Sequence, residues 1–366
     1  MNRPVIIIIA ALGLCLASCT ESGGPQADTF DRTAMLTQLA DNLIIPSYDS
    51  AATASVRLAT NSESILTDGD VSSADVYELR REFTDLALQW QRIVTYNFGP
   101  AEGDFGTLAE DAATFPCDTA EVWRRIAAGD TLLRDFRRDT RGLATIDYLL
   151  FRRDAAEIAR DLSDASAGNM RTYLRRVINR LRDELTSAAS AWKQTYRSIF
   201  INRSGTDAGS SVSLLLNELN KSFELLKNYK LGLPLGLRAG QTTTEPTKIE
   251  SYYSGLSYLL LGLHYSSIRE IWSGRLRNGT QIPSFRAYLL TVVNGPRLIE
   301  ETEAQFARID AAYGLVSQST MSELIRSNPQ ALVALHTEMQ KLTRFIKSEM
   351  SSLLGISITY SSGDGD

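Results

Sequence analysis

The chain has 366 residues, 43% of them hydrophobic and 22% charged, enough for a sizeable core and for about two domains. Its 24 glycines and 10 prolines are too few for a collagenous or low-complexity chain, and an aromatic share of 8% excludes wholesale disorder. The formal charge is −5 with no dense Lys/Arg tract, so a nucleic-acid partner has no electrostatic footprint and none is expected.

Arg3 supplies a short basic start, residues 5–16 an apolar run too short to span a bilayer, and Leu16-Ala17-Ser18-Cys19 a small-residue cleavage site. This stretch resembles the bacterial lipobox, whose cysteine is acylated once the signal has been cut before it. Residues 1–18 are then a signal peptide, Cys19 carries the lipid, and residues 19–29 are the lipidated cysteine and a polar tether. Several acyl chains, at about 0.8 kcal/mol per buried methylene, hold a protein to a membrane without a transmembrane helix. Thr20 follows the cysteine where inner-membrane retention calls for Asp, so similarity to other lipoproteins favours the outer membrane, with either a periplasmic or a surface-facing domain. The alternative is a plain secretory signal with an incidental cysteine. Loss of Arg3 takes the charge from −5 to −6. It also leaves Cys117 as the one thiol free of lipid, which excludes an internal disulfide and reads as a small buried hydrophobe rather than a nucleophile.

Residues 31–65 read as a long helix that Pro46 kinks or breaks. A second helix spans 73–98, with Val76, Leu79, Phe83, Leu86 and Trp90 at steps of three and four. Gly99-Pro100 stops it, and an acidic loop follows that lacks the spacing of a calcium site. Asp118 and Glu121 read as a capping box for a short helix ending at Gly129. Residues 141–151 form a helix with a greasy face of Ile146, Leu149 and Leu150 and a second face on which residues 144 and 147 stand one above the other. A long amphipathic helix covers 167–200; its arginines mix with Asp183 and Glu184, which reads as a solvated face rather than an anion surface.

The serine- and glycine-containing stretch 202–211 is the best boundary between two halves. A helix over 213–229 leads into 230–236, whose Gly and Pro forbid regular helix. Residues 248–257 precede an apolar helix ending at Trp272. A helix over 284–313 is interrupted at Gly295-Pro296, and a last one runs over 329–354. The expected fold is all-α, two up-and-down helical bundles of about four long helices each, at 30–204 and 205–355, followed by a disordered tail over 356–366.

No nucleophile elbow, phosphate-binding glycine loop, dinucleotide fingerprint or His-Glu-x-x-His zinc helix is present. His264 and His336 lie in or beside apolar stripes and read as hydrogen-bonded core histidines, because no metal-ligating residue stands a helical turn away.

Trp90-Gln91-Arg92 with Phe98-Gly99-Pro100, then Phe115-Pro116-Cys117-Asp118, then residues 142–151, then residues 248–257 occur in an order that resembles the imelysin-like proteins. That resemblance covers nearly all of the chain after the signal. It implies an all-helical bacterial protein, secreted or lipid-anchored, of a group classed with an insulin-cleaving metallopeptidase and linked to iron uptake. The family signature Gly-x-His-x-x-Glu falls on Gly142, Ala144 and Asp147. Alanine neither ligates a metal nor moves a proton, so a site that needs the imidazole has lost a ligand. Asp147 is left either as one hard oxygen ligand for iron or another cation, or as a carboxylate hydrogen-bonded inside the bundle. The resemblance brings Glu250, Tyr253, Ser254 and Ser257 near that face as further ligand-binding residues. The plainer reading of Ser254 and Ser257 is helix capping.

The expected function is therefore a lipid-anchored, non-catalytic binding component of the cell envelope tied to iron or haem acquisition, with other iron-uptake envelope proteins as partners. Two alternatives stand beside it: an interaction lipoprotein with a vestigial cleft, and a metallopeptidase, against which Ala144 argues.

Overall fold

The computed structural model describes residues 30–103, 106–316 and 320–359. The signal, Cys19 and the tether lie outside the described residues. Among the described residues the fold is all-helical apart from one two-stranded antiparallel pair, Glu102–Gly103 with Gly106–Thr107, and an isolated antiparallel bridge between Arg275 and Gln281.

Helix α1 (Arg32–Leu39) passes through a π turn, Ala40–Ile44, into α2 (Ile45–Thr67). Pro46 was expected to kink or break this helix; the chain stays helical through it, and the wider π turn just ahead is the irregularity that accommodates a residue without an N–H. Helix α3 (Ser73–Ile93) opens on a capping box of Ser72 and Asp75 and buries Val76, Leu79, Phe83, Leu86 and Trp90. Helices α4 (Leu108–Ala113) and α5 (Thr119–Ala128) follow. The capping box expected at α5 is half formed: Asp118 accepts from the Glu121 N–H at 3.0 Å, but the Glu121 carboxylate turns to Arg124 and Arg125.

Helix α6 (Gly142–Phe151), α7 (Ala155–Ser163) and α8 (Gly168–Ala191) come next, and a π turn, Trp192–Tyr196, joins α8 to α9 (Arg197–Asn202). Three arginines of α8 are engaged in ion pairs, Arg175 with Glu63 at 2.8 Å, Arg180 with Asp111 at 3.0 Å and Glu184 at 2.9 Å, and Arg182 with Asp183 at 2.6 Å. After the loop over 203–210, α10 (Ser211–Glu224) runs into a π segment, Leu225–Gly232. The ban on regular helix near Gly232 and Pro234 thus takes the form of π winding.

Helix α11 (Ser257–Ser273), α12 (Phe285–Leu289), α13 (Gly295–Gly314), α14 (Met321–Ser327), α15 (Gln330–Thr343) and, after a π turn Arg344–Glu349, α16 (Met350–Leu354) complete the chain. Gly295-Pro296 form the first turn of α13, where proline is tolerated. The tail is ordered further than expected: Ile356 is buried, and Asn217 bonds the Ser357 carbonyl at 2.9 Å and the Thr359 N–H at 2.7 Å.

The loop over 203–210 falls where a division between halves was expected, yet the buried apolar side chains on its two sides form one cluster from Met35 to Ile356. Helix α3 is the shared wall, packing against α2, α6 and α7 before the loop and against α11 after it. No described helix is long and apolar enough to cross a membrane.

Candidate functional site

Helix α6 begins abruptly. Arg141 is extended and Gly142 has φ +72, and a Cβ there would lie 2.4 Å from the Ala112 carbonyl oxygen, so this position demands glycine. Arg141, itself buried, fixes the entry by donating to Asp111 and to the Asp135 carbonyl at 2.7 Å. Leu143, Ile146, Leu149 and Leu150 then face the core.

Asp147, only 2% exposed, sits on the other face of α6. Its two oxygens accept the backbone N–H groups of Tyr253 at 3.0 Å and Ser254 at 3.1 Å. Those amides belong to a turn with left-handed Ser251 (φ 53) and Gly255 (φ 71), which aims successive N–H groups at one point, the way backbone nests bind anions. Burial pushes the Asp147 carboxyl up to about 6, although the Ser254 hydroxyl and the two amides oppose the shift. Around this clasp Tyr148 packs on Tyr253 with ring centres 4.9 Å apart, and the Trp123 indole donates to the Tyr148 hydroxyl at 2.5 Å. Ala144 is half-buried on the same helix. Cys117 is half-buried as well, its Sγ 3.5 Å from the Thr145 hydroxyl, and burial pushes its thiol up to about 12.

Glu250 makes a separate, buried polar ring. Its carboxylate lies 2.8 Å from Lys230 Nζ and accepts from Gln91 Nε2 at 3.1 Å, while Lys230 donates to Gln91 Oε1 at 2.6 Å. All three are buried; desolvation lowers the Lys230 pKa, and Glu250 opposes that. The Ser257 hydroxyl returns to the Glu250 carbonyl at 2.5 Å. Neither Ser254 nor Ser257 caps α11, whose N-cap is Leu256 with no side-chain bond. His264 is fully buried and bonds the Ser222 hydroxyl at 2.6 Å.

Between α3, α4 and α10 lies a cavity of about 440 Å³. Trp90, Phe115 and Leu225 give it apolar walls, and its polar lining includes Glu110, Glu218, Lys221, Ser222, Lys230 and Glu250. Burial pushes the Glu218 carboxyl up to about 7 against its pairing with Lys221. The structure therefore brings Asp147, Glu250, Tyr253, Ser254 and Ser257 into one neighbourhood, but they divide. Glu250 lines the cavity; Asp147, Tyr253, Ser254 and Ser257 do not. As a metal ligand Asp147 has little support: its oxygens already serve two amides, and among the described residues no group of three His, Cys, Asp or Glu side chains could hold an ion. Lys230, Glu218 and Ser222 were not singled out from sequence as site residues, and Gln91 was named only within the Trp90-Gln91-Arg92 motif. The signal available was a lysine set among Leu, Gly and Pro, where a solvated loop is the default reading.

No curated protein matches the sequence. Solved structures that share the fold include an imelysin-like protein from Psychrobacter arcticum 273-4, at 20% identity and TM-score 0.70 over 90% of this chain and 97% of that one, and a putative iron-regulated protein A precursor from Parabacteroides distasonis ATCC 8503, at 16% identity and TM-score 0.72 over 91% and 97%. The peptidase M75 family model, described as imelysin, matches residues 44–347, which span α6, the clasp and the cavity, and the chain belongs to the imelysin family.

Proposed function

We propose that this chain is a lipid-anchored protein of the bacterial outer membrane that binds a ligand, without catalysis, in the service of iron or haem acquisition. The observation that carries the reading is the state of the signature face. Ala144 offers no imidazole, and the Asp147 carboxylate is held by the Tyr253 and Ser254 amides rather than presented to solvent. A hydrolytic metal centre needs several ligands and an open position, and this face supplies neither. Binding still has a place to occur, in the 440 Å³ cavity that Glu250 and Lys230 reach. The iron-regulated precursor among the structural neighbours is in keeping with such a role.

Calorimetry of the purified protein with ferrous ion, ferric ion and haem tests the reading. Saturable binding of one of them is expected, and Leu225→Trp, which fills the cavity, abolishes it while the melting temperature holds. Silence from all three removes iron and haem as ligands. The anchor is tested by metabolic labelling with palmitate, which Cys19→Ala eliminates together with membrane association. A second reading, an interaction lipoprotein with a vestigial cleft, draws on the fact that Asp147 and Glu250 are both satisfied internally. It predicts an envelope partner whose co-purification is unaffected by Leu225→Trp.

A further inference from the structure

Trp90, Gln91 and Arg92 occupy one turn of α3 and serve three environments. Trp90 walls the cavity, Gln91 closes the buried ring, and Arg92 turns to the other side of the helix. There a pocket of about 210 Å³ lies between the start of α2 and the end of α11. Its polar lining includes Asn42, Ser47, Arg92, Glu270, Arg277 and Asn278. Asn42 reaches it from the π turn Ala40–Ile44, a winding often found at functional sites.

Arg92 is a half-buried cation with nothing to hold. Among the described residues its guanidinium makes no hydrogen bond or ion pair, and its Nε is buried without an acceptor. Its pKa is lowered first by burial and then by the like charge of Arg277. The carboxylates that face it are engaged elsewhere: Glu270 lies 3.3 Å from Arg277, and Asp85 pairs with Arg57 and accepts from Gln89. The pocket thus lines two guanidinium groups with one carboxylate, an excess of one positive charge. The Ser47 hydroxyl, in a residue only 8% exposed, has no protein partner among the described residues either. Even a half-buried cation without a partner carries a desolvation cost, and a planar guanidinium fork matches the oxygens of carboxylate and phosphate.

We propose that Arg92 and Arg277 form an oxyanion site for the anionic head of a small phosphate- or carboxylate-bearing molecule, with Ser47 and Asn278 as neutral donors. The site is separate from the 440 Å³ cavity, and its fate does not depend on whether iron or haem binds there.

Titration of the whole protein with inorganic phosphate and, separately, with acetate at constant ionic strength tests it, followed by calorimetry or by ligand-induced shifts in melting temperature. Saturable binding is expected for one or both anions, and which one binds identifies the head group. Arg92→Gln weakens it about tenfold or more, the scale of a lost hydrogen bond to a charged group, and Arg277→Gln does the same. Arg182→Gln, on the outer face of α8, leaves it unchanged. If Arg92→Gln fails to fold, Arg277→Gln gives the same reading. No saturable binding of either anion, or wild-type affinity in both variants, overturns the proposal.

Discussion

Replacing Asp147 by Asn asks whether a buried charge sits in the clasp at neutral pH. The carboxyl is 2% exposed, and burial pushes it up to about 6 from the usual 3.8 of an aspartate. That difference is worth about 3 kcal/mol at 1.36 kcal/mol per pH unit. Because the folded protein holds the proton more tightly than the unfolded chain, the favourable contribution is complete below pH 3.8. It is lost as the pH rises through about 6. Asparagine does not titrate, and the carboxyls of Glu184 and Glu218, which burial pushes up to about 7, are common to both proteins and cancel in the comparison. Urea unfolding of wild type and Asp147→Asn from pH 3.5 to 7.5 should show wild type gaining roughly 2–3 kcal/mol relative to the variant on acidification. Parallel stability curves, or a gain toward alkaline pH, would refute the claim that desolvation outweighs the Ser254 hydroxyl and the two amide bonds.

Lys230→Met should cost about 3–5 kcal/mol, because it leaves Glu250 buried with only Gln91 beside it. Adding Glu250→Gln should recover part of the loss in denaturant unfolding, and strictly additive losses would deny the coupling. Gly142→Ala should destabilise by at least ~2 kcal/mol, since φ is +72 and a Cβ would meet the Ala112 carbonyl at 2.4 Å; an unchanged urea midpoint would mean that the α4 backbone can move aside.

Helix positions were legible because apolar steps of three and four survive in α3, α8 and α15. The π turns at Ala40–Ile44, Trp192–Tyr196, Leu225–Gly232 and Arg344–Glu349 were not, since widening one turn leaves the local apolar spacing nearly unaltered. The short helices α4, α7 and α14 carry too few periodic residues to stand out. Asp147 and the 250–257 segment were paired by family resemblance rather than by residue pattern. The nature of that pairing was hidden because the donors are main-chain amides, which no side-chain spacing reports. Burial of Lys230 was hidden for a different reason: its partners, Gln91 and Glu250, lie 139 and 20 positions away in sequence, so only the tertiary fold reveals them.

The two polar fastenings near α6 and α11 place unequal demands on sequence change. The Lys230 ring is written in three side chains, each matched to the other two, so drift at one position must be answered at another. The Asp147 clasp is written in one side chain and two peptide N–H groups, and every residue but proline carries that group. Position 253 can therefore change identity while the fastening persists, and a change at 254 gives up only the share of the Ser254 hydroxyl, provided the left-handed turn at Ser251 and Gly255 is kept. What can bind outside that turn is then free to diverge from the helix that holds it.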